Sequence, residues 1–128
     1  MLDFDHFKSF NDKHGHLAGD AVLTKLSDVL AKAVRNEDVV ARFGGEELAV
    51  ILRATALEAA ALLADRLRRL VEMTVVEHQG KSLRATVSVG MASYPSTNAE
   101  TVAQLIDAAD QALYRAKRAG RNRVSTAP

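Results

Sequence analysis

Cysteine is absent from this 128-residue sequence, which excludes disulfides and thiolate metal sites. A charge excess is absent too: 17 Lys and Arg stand against 16 Asp and Glu, a formal net charge of +1. Binders of a polyphosphate backbone usually carry a strong basic surplus, so nucleic acid is not an expected partner. No secretory signal and no apolar run long enough to span a membrane is found, so a cytoplasmic setting without membrane contact by this segment is expected. Internal repeats, linkers and low-complexity tracts are also missing. What remains is a chain of ordinary apolar content, 48%, sized for one domain. Its basic residues do gather near the end, at Arg115, Lys117, Arg118, Arg121 and Arg123. A local cluster of that kind suits a single phosphate group.

The hydrophobic pattern predicts an α+β domain. Met1 to Phe4 reads as the tail of a strand, and Asp5 to His14 as a short helix and loop broken at Gly15. Leu17 to Val34 has helical spacing, with Val22, Leu26, Val29, Leu30 and Ala33 on one face. Val39–Phe43 and Leu48–Leu52 read as a hairpin around Gly44-Gly45-Glu46-Glu47. Thr55 and Glu58 have capping-box spacing, opening a helix to about Met73 with Ala59, Leu62, Leu63, Leu67 and Leu70 buried. Val75–His78 and Leu83–Ser93 read as strands. A second capping box, Thr101 and Gln104, opens a helix carrying Val102, Leu105, Ile106, Ala109, Leu113 and Ala116 and closed by Gly120. Arg123-Val124 adds a short strand. The order implies a ferredoxin-like βαββαβ core, an antiparallel sheet flanked by helices. The domain is expected to span 1–124, with 125–128 a flexible tail.

Glu46 and Glu47 crowd two carboxylates at a glycine turn, which is costly without a cation. Asp3 and Asp5 would supply facing acids if the first strand lies beside the hairpin. Mg²⁺ takes such hard oxygen ligands and shares them with substrate phosphates, and two strands presenting acids at one point can build a two-metal site. A solvated acidic turn has the same local sequence, and taken alone the pair does not decide.

The wider pattern does. Asp3-Phe4-Asp5-His6-Phe7-Lys8, Asn11-Asp12, Gly15-His16, Gly19-Asp20 and Gly44-Gly45-Glu46-Glu47-Leu48 resemble the GGDEF family of diguanylate cyclase domains motif by motif. The resemblance runs on through Thr86-Val87-Ser88-Val89-Gly90, Ala108-Ala109-Asp110, Ala112 to Lys117 and Gly120-Arg121-Asn122. It implies that Asp3, the backbone carbonyl of Phe4, Glu46 and Glu47 hold Mg²⁺ or Mn²⁺. Glu46 is then the general base for the 3′-hydroxyl, and Lys8 the charge-stabilising catalytic lysine. Asn11 and Asp20 would read guanine, with His16 beside the substrate and Lys117 and Arg121 on its terminal phosphates. A carboxylate can accept from both guanine donors, N1–H and N2–H₂, where adenine would set an acceptor against it. Arg35 and Asp38 fit the family's R-x-x-D inhibitory site, which Arg66 would complete.

Leu48 replaces the family's usual Phe, and the family's N-terminal helix and the start of its first strand are not represented before Asp3. The resemblance implies a cyclase that condenses two GTP into cyclic di-GMP between two facing monomers, with product inhibition. Cyclic di-GMP would bind at the R-x-x-D site or in the active half-site. The alternatives are a non-catalytic GTP or cyclic di-GMP receptor, against which the intact Asp3, Lys8, Glu46 and Glu47 argue, and a different palm-type nucleotidyltransferase.

Overall fold

The first strand, β1 (Leu2–Phe4), sends alternate side chains to opposite faces, and the fold follows from that alternation. A computed structural model describes residues 1–128. Leu2 and Phe4 point into the main core, whereas Asp3 faces the C-terminal helix. After β1 come α1 (Phe7–His14), α2 (His16–Ala33), the hairpin β2 (Val39–Gly44) and β3 (Glu47–Ile51), and α3 (Leu57–Met73). Then follow β4 (Val76–His78), β5 (Lys81–Leu83), β6 (Val87–Met91), α4 (Val102–Arg118) and β7 (Val124–Thr126).

The main sheet has the order β2-β3-β1-β6-β7. Its first four strands are antiparallel and make the split βαββαβ arrangement. Val22, Leu26 and Leu30 of α2 and Ala60, Ala64, Leu67 and Val71 of α3 join Leu2, Phe4, Leu48, Val87 and Val89 in one core. The opposite face of β6 presents Ser88 and Gly90. A Cβ at Gly90 would collide with the backbone of Ala109 and Leu113, so α4 lies directly on that glycine.

Four expectations need correction. Residues 125–127 are not a free tail: Ser125 and Thr126 extend β7, which pairs parallel with β6 and makes the sheet mixed, and the Ala127 amide donates to Met91 O at 2.7 Å. The run Leu83–Ser93 is two strands, because β5 pairs with β4 in a separate hairpin and only β6 enters the main sheet. No capping box opens α3; its N-cap is Ala56, and the Thr55 hydroxyl donates to Arg53 O instead. The buried stripe of α3 is Ala60, Ala64, Leu67 and Val71, and Leu62 is 76% exposed, because small residues let the helix approach the core closely. At α4 the Thr101–Gln104 capping box is present, with its buried stripe on Ala109, Ala112, Leu113 and Ala116.

The close contact at Gly90 is testable. Gly90→Ala pushes a methyl group into helix backbone, which cannot rotate away, so a loss of about 3 kcal/mol is expected. Urea denaturation measures it: the midpoint should fall with the slope unchanged.

Candidate active site

The helices α1 and α2 meet at Gly15, whose φ of 87° suits a residue without Cβ. The bend sets Lys8 and Asn11 of α1 against His16 and Asp20 of α2. Together with Glu46 at the hairpin tip they line one open cleft of about 430 Å³. A second hollow of about 530 Å³ continues from it between α2 and β2, sharing Asp20 and Glu46. Arg42 lines both, and its Nε donates to Gly45 O at 2.9 Å, tying down the tip that carries Glu46. Sequence reasoning passed over Arg42; its place just before the paired glycines is the signal that was available.

Asn11 carries an unusual group in that cleft: its Oδ1 is buried and has no hydrogen-bond partner. A buried acceptor left unpaired costs about 1–3 kcal/mol. A ligand donating to it would remove that cost. Lys8, His16 and Asp20 are exposed at the rim.

A second group centres on Asp3, which lies opposite Glu47 in the β1–β3 ladder. Asp3 is 7% exposed, and Lys117 Nζ of α4 sits 3.0 Å from its Oδ1. Burial holds the Asp3 carboxyl above the ordinary aspartate range; Lys117 pulls it down, and Glu46 and Glu47 push it further up. Glu46 thus belongs to both groups. The side chain of Phe4 is in the core, and its amide donates to Glu46 O at 3.4 Å.

The donor set fits Mg²⁺. All three side chains are hard carboxylates, and the ammonium of Lys117 marks Asp3 as a place where a cation is favourable. No group of three acidic or histidine side chains closes into a cage. Mg²⁺ does not require one, since it typically keeps water and takes one or two carboxylates plus substrate phosphates.

Asp5 does not join this group, contrary to expectation. Its Oδ1 accepts from Ser88 Oγ at 2.6 Å, and its Oδ2 accepts from Thr86 Oγ1 at 2.7 Å and the Asn122 amide at 3.0 Å. Those donors turn it toward β6 and the turn after α4, away from the hairpin tip. Arg121, in that turn, has no side-chain partner and lies outside the cleft.

Arg35, Asp38 and Arg66 form a third, separate group at the end of α2. Asp38 accepts from the Arg35 amide at 3.1 Å and the Arg53 amide at 3.2 Å, which fixes the turn. Arg66 of α3 donates to Ala33 O at 2.9 Å, bringing it beside the same turn.

Comparison with known proteins matches the chain to one family. The family model described as "Diguanylate cyclase, GGDEF domain" matches residues 1–123. The chain is 42% identical over 125 residues to diguanylate cyclase A of Treponema denticola, covering 98% of this chain and 33% of that protein. It is 46% identical over 127 residues to the diguanylate cyclase DgcP of Pseudomonas aeruginosa, covering 99% of this chain and 19% of that one. The chain therefore spans a third or less of the length of these curated relatives. The crystal structure of the GGDEF domain of DgcB from Caulobacter crescentus, in complex with c-di-GMP, superposes with a TM-score of 0.89 at 36% identity, covering 98% of this chain and 74% of that one.

The Asp3 environment predicts a pH dependence. A carboxyl raised in the folded state keeps its proton to higher pH than in the unfolded chain. Folding stability therefore falls as pH rises through the window just above the ordinary aspartate range, and the deficit persists to neutral pH. Asp3→Asn lacks that term. Without divalent cations, its melting temperature relative to wild type should rise as pH is taken from acid to neutral. Melting curves across a pH series check this, and a wild type that gains on the variant over that range contradicts it.

Proposed function

We propose, from the premise that this chain belongs to the GGDEF family of diguanylate cyclase domains, that it binds GTP in the α1–α2 cleft and joins two GTP into cyclic di-GMP. The observation that carries this reading is the gathering of Lys8, Asn11, His16, Asp20 and Glu46 around one cleft that contains an unpartnered Asn11 acceptor. Guanine supplies donors at N1 and N2. Asp20 can accept both, and Asn11 Oδ1 can take a further one. An adenine edge presents an acceptor there and leaves the pair unsatisfied.

Glu46, beside the cleft and beside Asp3, is the general base: it takes the proton of the 3′-hydroxyl. That oxygen attacks the α-phosphorus of a second GTP, the bond to the β-phosphate oxygen breaks, and pyrophosphate leaves. The second GTP lies on a second copy of the domain facing the first, and the step repeats in the other direction to close the ring. Holding the two nucleotides in that geometry supplies much of the acceleration. Asp3, the backbone of Phe4, Glu46 and Glu47 would hold Mg²⁺ or Mn²⁺, which neutralises charge on the phosphates when bound. Lys117, which stands 3.0 Å from Asp3, and Arg121 would hold the terminal phosphates, and Lys8 stabilises charge at the cleft side. Cyclic di-GMP binds at Arg35 and Asp38 with Arg66, whose donors and acceptors match its phosphates and guanines.

Incubating the chain with GTP and Mg²⁺ and detecting product by mass tests the reading. Cyclic di-GMP and pyrophosphate are expected; nucleotide binding without turnover would favour a receptor instead. Glu46→Gln should cut turnover by about 10²-fold or more with no loss of melting temperature. Asp20→Ala should lower the preference for GTP over ATP by about 10²-fold, and equal loss for both nucleotides would remove its base-reading role. Arg35→Ala should relieve product inhibition without changing the initial rate, checked by progress curves with added cyclic di-GMP.

A further inference from the structure

The turn after α4 holds two successive non-glycine residues in the left-handed region, Arg121 at φ 63° and Asn122 at φ 45°. Asparagine tolerates that region, but arginine gains nothing from it. Such conformations persist only where the surroundings over-determine them, and they cluster at functional sites. Here the surroundings are specific.

The Asn122 amide donates to Asp5 Oδ2 at 3.0 Å. Its side chain is held at both ends: Oδ1 accepts from Arg68 Nη1 at 2.8 Å, and Nδ2 donates to Glu72 Oε1 at 2.8 Å. Arg68 is itself locked by Asp65 at 2.9 Å and Glu72 at 2.8 Å, and Asp5 by Thr86 and Ser88. On the other side the Arg121 amide donates to Ala116 O at 3.0 Å, and Arg123 Nε donates to Arg121 O at 3.0 Å. The backbone of Arg121 is thus fixed from both directions, while its guanidinium has no protein partner. A fixed stem with a free cationic head is the arrangement of a preorganised anion anchor.

We propose that Asp5 and Asn122 are positioning residues: with Arg68 they clasp the turn after α4 so that Arg121 is presented, already oriented, to the terminal phosphates of the nucleotide. This rests on the reading above, in which Arg121 is a phosphate contact. It assigns Asp5 to orientation rather than to the metal. β1 and the residue after it thus reach two cations of the C-terminal segment: Asp3 pairs with Lys117, and Asp5 ties the Arg121 turn through the Asn122 amide.

The test compares a ligand with terminal phosphates against one without. The α,β-methylene analogue of GTP and GMP are each titrated calorimetrically, with Mg²⁺, into wild type, Arg121→Ala, Asn122→Ala and Asn122→Gly. All three variants should bind the analogue about tenfold or more weakly, the share of one charge-assisted hydrogen bond, and bind GMP as wild type does. Asn122→Gly separates the clasp from simple backbone freedom, since glycine adopts the left-handed region without help. Wild-type affinity for the analogue in Asn122→Gly would overturn the proposal, as would equal weakening of both ligands in the Asn122 variants. No effect of Arg121→Ala would overturn the phosphate reading and this proposal with it. If it weakens the analogue while the Asn122 variants do not, only the positioning role fails. Should Asn122→Ala not fold, Arg68→Met, which leaves Asp5 and the turn backbone intact, carries the same expectation.

Discussion

Two carboxylates buried at the end of one short strand set the terms for much of this molecule. Asp3 and Asp5 are 7% and 9% exposed, and a buried charge is tolerated only when it is paired or fully hydrogen-bonded. The two are satisfied differently. Asp5 receives two hydroxyls and a backbone amide, an arrangement complete within the protein. Asp3 receives one ammonium, against two further acids, Glu46 at the hairpin tip and Glu47 on the neighbouring strand. A hydrogen-bonded carboxylate of the first kind fixes backbone. One of the second kind can exchange its cation, because an ammonium is a point charge on a flexible stem. The end of the strand therefore carries one acid whose partners are all fixed and one whose partner is a flexible side chain, and alternation puts both on the α4 side.

That division was only partly legible in the sequence. The ordered motifs single out Asp3, Lys8, Asn11, His16, Asp20 and Glu46 as candidates, and most of them do fall together because they sit within a short stretch around Gly15, where spacing and placement are nearly the same thing. Asp5, which the strand's own sequence offers to the hairpin as readily as Asp3, is bonded elsewhere. Its partners Thr86, Ser88 and Asn122 lie 81, 83 and 117 residues along the chain, beyond the reach of any local pattern. Arg68 and Glu72 read only as polar positions on an amphipathic helix until the turn after α4 is seen to close on them.

The secondary structure divides along similar lines. The helix α2 has one apolar stripe, and its buried residues follow that stripe. The first half of α3, Leu57 to Leu63, is almost entirely Ala and Leu, so its sequence offers several apolar faces; packing selects the one with Ala60 and Ala64, which permits close approach. The run from Leu83 to Ser93 looked continuous because nothing in a strand's own sequence names its partner. Its division follows from pairing, with β5 closing on β4 across Gln79-Gly80 and β6 filling the place beside β1.

The cleft itself shows why glycine stands at position 19, in the middle of a helix. An interior glycine costs about 1 kcal/mol relative to alanine. A Cβ there would overlap Asn11 Oδ1, and Phe7 is close behind. The glycine lets the Asn11 side chain sink between α1 and α2, and the result is a buried acceptor without a donor. Neither feature helps folding: one weakens the helix, and the other leaves a polar atom unsatisfied. Two local costs at one contact, on the wall of the cleft that also gathers Lys8, His16, Asp20 and Glu46, are hard to account for by stability. Under the proposed function both costs have a use: a donor arriving from outside the chain would satisfy Asn11 Oδ1, and the N–H edge of a planar base is such a donor.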